Sequence, residues 1–289
     1  MIIQEKAYAK LNISLDVTGR RADGYHDMVM PMQTVSLCDE LRLRLAGEDV
    51  HAHCDLRYIP GDERNLAVRA AMRYLEEIGE AGQGVQIEIV KRIPVGAGMG
   101  GGSADAAAVL RALNRVFDGR LDRATLLRLA ADIGSDVAFC LVGGTQLATG
   151  RGEALQALPP LPPCVFLIVK PSFSISTPEL FRRLDQTPPR VHPDTAGLLD
   201  ALTRGDLPGV CRRLYNVFED LDDRRMRTVR QIKGHLLDGG ALGAVMTGTG
   251  SAVFGVFRPE DAAAAAQCCR RLKEEYGFAV LAESVGALL

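Results

Sequence analysis

The chain has 289 residues, which is too long for one compact core and suits two domains of about 150 residues each. Its composition, 47% hydrophobic and 24% charged, is that of an ordinary globular protein. The formal net charge of −2 leaves no basic surplus to attract a nucleic-acid backbone or an anionic membrane. No apolar run approaches the ~20 residues that a membrane-spanning helix needs. These features disfavour bulk nucleic-acid binding and a membrane role.

The cysteines and the N-terminal segment indicate a cellular compartment. The seven cysteines are scattered, without paired C-x-x-C spacing, so we expect free thiols in a reducing environment rather than a disulfide framework. Lys6 and Lys10 interrupt any apolar signal-peptide core, and the nine positions before Lys10 leave no room for a transit peptide. We therefore expect a cytoplasmic protein of bacterial type.

The first predicted element is a strand over residues 7–17. Its odd positions are apolar and its even positions are mostly polar, which is a period of two. This spacing predicts a half-buried strand with Lys10 and Asn12 on one face, two residues apart. Further strands are predicted at 35–45, 50–54 and 85–89, and helices at 66–78, 103–117, 123–131 and from about 136.

A proline-dense segment at 158–163 is the predicted linker. After it we predict strands at 165–169, 244–246, 252–257 and 279–281, several helices within 178–237, and a helix over 259–276. The chain is therefore predicted to be α+β with a β-rich N-terminal half. The predicted domains are 1–158 and 159–289.

A glycine-rich loop lies between the predicted strand at 85–89 and the next helix. Residues 96–102 contain five glycines, followed by Ser103 and Asp105 at the helix start. Such a loop approaches a ligand closely, and its amides with the helix N-terminus form a positive cradle for phosphate. The alternative is a flexible surface turn, which this density of glycine disfavours.

Three familiar phosphate-binding classes do not fit this loop. Gly96, Gly98 and Gly101 satisfy G-x-G-x-x-G, but a Rossmann unit needs a second strand after the helix, where another helical stretch follows. A P-loop needs a lysine after the glycines, and none is present. The V-A-I-K, H-R-D and D-F-G motifs of protein kinases are also absent.

The loop resembles the ATP-binding signature of the GHMP kinases, the small-molecule kinases related to galactokinase, homoserine kinase, mevalonate kinase and phosphomevalonate kinase. A lysine-bearing first strand and a late segment, Met246-Thr-Gly-Thr-Gly-Ser-Ala-Val-Phe254, match that superfamily in the expected order. The block from Ala9 to His26 is similar to one branch, whose substrate carries a cytidine diphosphate group and belongs to the non-mevalonate isoprenoid pathway. The resemblance implies a two-domain α+β kinase fold, with an N-terminal ribosomal-protein-S5-domain-2-like domain and a C-terminal ferredoxin-like domain.

The resemblance implies ATP-dependent phosphorylation of an alcohol, with Asp136 as the catalytic base and Lys10 as its partner. From the residues alone, Ser135 and Asp136 could equally cap a helix, and a lone lysine on a strand is usually solvated. Lys10 would orient the substrate hydroxyl and stabilise charge in the transition state.

The resemblance also implies binding roles. Tyr25 and Phe181 would sandwich a cytosine ring and His26 would hydrogen-bond to it, although each residue alone is more often a core or turn residue. Mg²⁺ is expected with ATP, and Ser103 is the one candidate protein ligand, because no glutamate matching that of some superfamily members is present. The remaining candidates are, for ATP, Pro94, Val95, Gly96, Ala97, Gly98, Met99, Gly100, Gly101, Gly102, Ser103 and Ala104; for substrate, Asn12 and Thr177; and, in the late segment, Gly248, Thr249 and Gly250.

Two other patterns suggest chemistry that their spacing does not support. His51, His53 and Cys54 could suggest zinc, but no partner with matching spacing exists, and adjacent Cys268 and Cys269 diverge on a helix.

Two alternative functions remain: a sister kinase acting on another small alcohol, and a catalytically silent nucleotide- or RNA-binding module. We expect a small-molecule partner with a cytidine diphosphate group and neither nucleic acid nor membrane, while a homodimer stays open.

Overall fold

The computed structural model describes residues 2–189, 191–221 and 224–289, which form two β-sheets with helices packed on them. The strands are β1 (Ile2–Asn12), β2 (Ser14–Arg20), β3 (His26–Leu45), β4 (Val50–Cys54), β5 (Val85–Val90), β6 (Thr145–Gly150), β7 (Ala154–Ala157), β8 (Val165–Lys170), β9 (Tyr215–Asn216), β10 (Gly243–Met246), β11 (Val253–Phe257) and β12 (Phe278–Glu283). The helices are α1 (Leu66–Glu77), α2 (Gly101–Val116), α3 (Arg123–Ile133), α4 (Val137–Val142), α5 (Thr177–Gln186), α6 (Thr195–Thr203), α7 (Leu207–Cys211), α8 (Arg224–Asp238) and α9 (Ala262–Tyr276). The α+β class is confirmed.

The first sheet is organised around the long strand β3. The main strand order in this sheet is β4-β5-β3-β2-β9. Strand β3 also pairs with β1 and β6, and β7 pairs with β6. Helix α2 packs on β1 and lies against α1 and α4. Many side chains on its buried face are small, with alanines at 104, 106, 107, 108 and 112, so the helix can approach the sheet closely.

The predicted strand over 7–17 is two strands, and the prediction that it is half-buried is wrong. The strand is interrupted at Ile13, whose N–H donates to the Pro31 carbonyl at 2.8 Å. Both faces are buried from Ala9 to Val17, because the glycine loop and the late glycine segment cover the polar face. A register shift between Tyr8 and Lys10 lets the Lys10 N–H donate to the Met99 carbonyl at 3.1 Å.

The second sheet is antiparallel, in the order β10-β11-β8-β12. Its strands are short and almost wholly apolar, and α8 and α9 pack against it. The parallel pair β2–β9 ties the segment after α7 to the first sheet. No described helix has both the length and the apolar character required to cross a membrane.

The residues after β12 return to the first sheet. Ser284 forms an antiparallel bridge with Val35, and the Val285 N–H donates to the Thr34 carbonyl at 2.8 Å. Further on, Ala287 bridges Gly143, and the Leu288 N–H donates to the Val142 carbonyl at 2.7 Å. The C-terminal segment therefore covers backbone groups of β3 and of the connection after α4.

Several predicted boundaries differ from the structure. The helix expected from Ser103 begins at Gly101, the hairpin β6–β7 was not predicted, and β3 begins nine residues before the predicted start at Val35. The predicted helical region 178–237 includes residues 190, 222 and 223, which lie outside the described residues. The domain division at 158/159 falls between β7 and β8 and stays a prediction.

Candidate active site

A cleft of about 870 Å³ opens beside the glycine loop. It is bounded by the start of α2, the turn before β3, the residues between α3 and α4, one side of α5, and the segment between β10 and β11. The predicted site residues that line it are Lys10, Tyr25, His26, Gly96, Gly98, Gly100, Ser103, Asp136, Thr177, Phe181, Gly248, Thr249 and Gly250. Predicted residues from segments far apart in the sequence therefore line one cavity.

Lys10 and Asp136 form an ion pair at the floor of this cleft. Lys10 Nζ lies 3.3 Å from Asp136 Oδ2, and the lysine is only 4% exposed, so it is not the solvated surface lysine of the alternative interpretation. Asp136 precedes α4, but its side chain makes no capping hydrogen bond. A Cβ at Gly100 would lie 3.1 Å from Lys10 Cγ, so the loop touches the lysine stem.

Asn12 supports this pair from below. Its Oδ1 accepts hydrogen bonds from Lys10 Nζ at 2.7 Å and from Thr247 Oγ1 at 3.3 Å. Its Nδ2 donates to the Met30 sulfur at 3.4 Å, and the residue is 1% exposed. Asn12 and Lys10 therefore share a strand face as predicted, and Asn12 is placed to orient the lysine. Its role in substrate binding stays a prediction.

The glycine loop has the conformation of an anion-binding segment. Gly96, Gly98 and Gly100 have φ between +64° and +77°, a region in which a side chain would be strained. Gly100 caps α2 without a side-chain hydrogen bond, which leaves amide N–H groups of the first turn directed toward the loop. Ser103 is the third residue of α2, so it does not cap the helix.

The late glycine segment, residues 246–254, packs against this loop. A Cβ at Gly98 would lie 2.2 Å from the Thr247 carbonyl oxygen, and a Cβ at Gly248 would lie 2.8 Å from the Gly98 carbonyl oxygen. Hydrogen bonds reinforce the contact, because the Ala252 N–H donates to the Ala97 carbonyl at 3.1 Å and the Thr247 hydroxyl donates to the Gly98 carbonyl at 3.3 Å. The hydroxyl groups of Thr177 and Thr249 lie 2.7 Å apart, which joins α5 to this segment.

The aromatic residues lie at the other end of the cleft, in an arrangement that differs from an open sandwich. The Phe181 ring stacks on the His26 ring, with centroids 4.7 Å apart, and meets Phe218 edge-on. Tyr25 is 55% exposed, with the Arg151 guanidinium 5.1 Å from its ring centroid. Tyr25 and Phe181 line the same cavity, but in this conformation His26 occupies the near face of Phe181.

A buried charge cluster beneath the glycine loop was not predicted. Lys91 Nζ donates to Asp39 Oδ2 at 2.5 Å and to Asp105 Oδ2 at 2.7 Å, and all three side chains are at most 5% exposed. Asp39 Oδ1 also accepts the N–H groups of Arg92 and Ile93. The sequence held one signal: Asp39 occupies an otherwise apolar position in the alternation from Val35 to Leu45. Lys91 thus fastens β3, the entry to the loop and the first turns of α2 together.

Burial raises the pKa of Asp105 to about 8, with Lys91 lowering it and Asp39 raising it. The folded state therefore keeps a proton on this carboxyl group that the unfolded state has lost above pH ~4. Because the folded chain binds more protons in that window, its stability falls as pH rises from about 4 to about 8.

We expect Asp105→Asn, which imitates the protonated form, to remove this dependence. Between pH 6 and pH 8 the wild type should lose up to about 2 kcal/mol of unfolding free energy relative to the variant. Urea unfolding at both pH values measures this, with the exposed Asp132→Asn as control. Parallel pH profiles for wild type and Asp105→Asn would contradict the assignment.

The two other sequence patterns do not line the cleft. His51 and His53 lie on the exposed face of β4 and Cys54 on the buried face. Within residues 2–189, 191–221 and 224–289, no group of three His, Cys, Asp or Glu side chains is arranged to hold a metal ion. The cysteines are free, Cys268 buried and Cys269 half-buried, and burial raises the pKa of the Cys140 and Cys164 thiols to about 12.

Comparison with known families agrees with this geometry. The N-terminal domain of the GHMP kinases matches residues 65–144, which hold the glycine loop and Asp136, and the C-terminal domain matches residues 198–276. The chain belongs to the GHMP kinases, a family of phosphotransferases whose members use ATP.

Within the family, the chain is similar in sequence to kinases of one kind. The chain is 40% identical over 271 residues to a Clostridium botulinum protein named 4-diphosphocytidyl-2-C-methyl-D-erythritol kinase, covering 94% of this chain and 96% of that protein. It is 43% identical over 258 residues to a protein of the same name from Syntrophomonas wolfei, covering 89% and 90% of the two chains.

Solved structures show the same fold. A crystal structure of 4-(cytidine 5'-diphospho)-2C-methyl-D-erythritol kinase superposes with a TM-score of 0.82 at 34% identity, covering 98% of this chain and 100% of that one. Homoserine kinase from Cytophaga hutchinsonii superposes with a TM-score of 0.73 at 23% identity, covering 99% and 95%, which supports the fold alone.

Proposed function

We propose that this chain transfers the γ-phosphoryl group of ATP to the 2-hydroxyl of 4-diphosphocytidyl-2-C-methyl-D-erythritol, in the non-mevalonate isoprenoid pathway. The observation that carries the proposal is the ion pair between buried Lys10 and partly exposed Asp136, beside a glycine loop that leads into a helix without a side-chain cap. The relatives of that name, 40% and 43% identical to this chain, support the choice of substrate.

In this proposal Asp136 accepts the proton of the attacking hydroxyl. The oxygen–phosphorus bond forms as the bond between the γ-phosphorus and the bridging oxygen of ADP breaks, and ADP leaves. The Lys10 ammonium, fixed between Asp136 and Asn12, orients the hydroxyl and stabilises negative charge on the transferring group. Loop amides from Gly96 to Ser103 hold the ATP phosphates.

The donor atoms beside the loop fit Mg²⁺ held largely by ATP. Ser103 and Asp136 line the same cleft and offer oxygen, which is the donor that Mg²⁺ prefers. Mg²⁺ commonly takes one or two protein ligands and fills its other positions with phosphate and water, so a larger protein cluster is not required. When bound, the ion would neutralise phosphate charge, and Ser103 is the side chain proposed to hold it.

The far end of the cleft is proposed to hold the cytidine diphosphate. Tyr25, His26 and Phe181 supply aromatic surface of the kind on which a base stacks. For Tyr25 and Phe181 to enclose the base, the ring of Phe181 must turn away from His26, because these two rings are stacked on each other. Thr177, at the start of α5, is proposed to bind substrate between the two ends.

An ADP-release assay across a panel of small alcohols tests the proposal. We expect activity with the cytidine diphosphate substrate and kcat/KM at least about 10²-fold lower with homoserine, mevalonate and galactose, because these lack the base that the aromatic end would bind. Preferred turnover of one of the simple alcohols would instead identify a sister kinase. ATP binding without turnover of any alcohol would favour the silent nucleotide-binding module.

A further inference from the structure

The ring of His26 is fixed by a carboxylate that no sequence pattern indicated. His26 Nε2 lies 2.7 Å from Asp185 Oδ1, and the histidine side chain is 10% exposed. The other carboxylate oxygen of Asp185 lies 3.6 Å from Arg20 Nη1. No other described residue forms a hydrogen bond with the imidazole of His26. Asp185 and His26 both line the cleft in which the substrate base is proposed to bind.

This contact determines which ring nitrogen carries the proton. An ionised carboxylate can only accept, so the hydrogen between the two groups must be on Nε2. A neutral imidazole has one N–H, and Nδ1 is then left as an acceptor. The second nitrogen of His26 therefore offers a lone pair and not an N–H.

Helix α5 supplies a second constraint on the same ring. Phe181 and Asp185 are four residues apart, so their side chains lie on one face of the helix. Phe181 stacks on the flat face of the imidazole at 4.7 Å while Asp185 binds its edge. In this structure the Phe181 contact sets the plane of the ring and the Asp185 contact its rotation within that plane. A turn of Phe181 toward the base would leave the Asp185 contact in place.

An acceptor at Nδ1 distinguishes the pyrimidine bases by one group. Cytosine presents an amino group at position 4, which donates a hydrogen bond, whereas uracil presents a carbonyl oxygen there, which accepts. A lone pair on Nδ1 attracts the first and opposes the second. With the other tautomer the preference would be reversed.

We propose that Asp185 is a positioning residue that, through the tautomer of His26, makes the substrate site select a base with a 4-amino group over one with a 4-carbonyl group. The inference rests on the proposed function, because it requires a pyrimidine nucleotide in this part of the cleft. A contact that merely fastened α5 to β3 would change stability or overall activity, but it would not change the choice between the two bases.

The test compares cytidine and uridine forms of the substrate in wild type, Asp185→Asn and Asp185→Ala. Asparagine keeps the shape of the carboxylate but can donate as well as accept, so it no longer enforces the Nε2–H form. We expect the ratio of kcat/KM for cytidine over uridine to fall roughly two- to tenfold in both variants, the scale of one hydrogen bond. The change should appear in KM for the nucleotide substrate, with KM for ATP unchanged.

Asp200→Asn is the matched control, because Asp200 is an exposed helical carboxylate that also pairs with an arginine, Arg204. It should leave the base preference at the wild-type value. An unchanged ratio in both Asp185 variants would overturn the inference while leaving the proposed function intact. Failure of the wild type to phosphorylate the cytidine compound would instead refute the proposed function.

A measurement on the unaltered protein keeps the inference testable if the variants do not fold. Nitrogen-15 NMR distinguishes the two imidazole tautomers, and a His26→Gln spectrum assigns the signals. We expect the His26 ring to carry its proton on Nε2 in the free enzyme. A signal from an Nδ1–H tautomer would overturn the inference.

Discussion

Replacing Asp136 with asparagine is expected to lower turnover by about 10²-fold or more, the usual scale for losing a positioned base. Asparagine keeps the shape of the side chain but cannot accept the hydroxyl proton. The fold should persist, because the Asp136 side chain makes no capping hydrogen bond to α4. ATP binding should stay close to normal, since the loop amides are untouched. Turnover and ATP affinity measured on one preparation check both parts.

The control for this variant is Asp132→Asn, four residues earlier, where the carboxylate is about half exposed on α3. It should retain wild-type turnover. Near-normal turnover in Asp136→Asn would remove Asp136 from the catalytic step, and the Lys10–Asp136 pair would then be a structural ion pair.

Replacing Gly98 with alanine is expected to weaken ATP binding by at least about tenfold and to cost about 2 kcal/mol or more of stability. Its φ of +77° strains any other residue, and the new Cβ would lie 2.2 Å from the Thr247 carbonyl oxygen. That oxygen belongs to backbone, so the glycine loop and the late glycine segment must separate. ATP affinity by calorimetry and thermal unfolding of the free chain measure the two effects.

Gly234→Ala is the matched control, at a glycine outside the loop and the cleft. A Cβ there would have no heavy atom within 4 Å, and Gly234 lies in α8, where alanine is favoured. It should be neutral or slightly stabilising. Equal behaviour of the two variants would show that the contact between Gly98 and Thr247 is not required for ATP binding.

Periodicity located most of the elements, because one-sided burial leaves a repeating pattern in the sequence. The pattern fails where burial is two-sided or contacts are distant. Alternation from Ala7 to Val17 predicted an exposed polar face, but residues near 99 and 247 cover it, and no local pattern reports a contact so far along the chain. The hairpin β6–β7 was missed because its strands are short and part-polar.

The candidate site was predictable where motifs are local. The glycine loop, Lys10 and the segment around Asp136 could each be assigned from neighbouring residues, together with the family resemblance. The charge cluster of Lys91, Asp39 and Asp105 and the pair of His26 with Asp185 join separate elements, so only the folded chain reveals them. The stacking of Phe181 on His26 depends on a side-chain rotamer, which sequence spacing does not determine.

The return of residues 284–288 to the first sheet has a consequence for how the chain is made. Synthesis runs from the N-terminus, so Thr34 and Val35 are available to pair long before Val285 and Ser284 exist. Until then the Thr34 carbonyl lacks its Val285 partner, on a strand that other chains could join. Closing this contact joins residues far apart along the chain and is therefore an event of late folding. The first sheet can fold around β3 during translation, but this part of β3 acquires its partner only after residues 284–288 have been made.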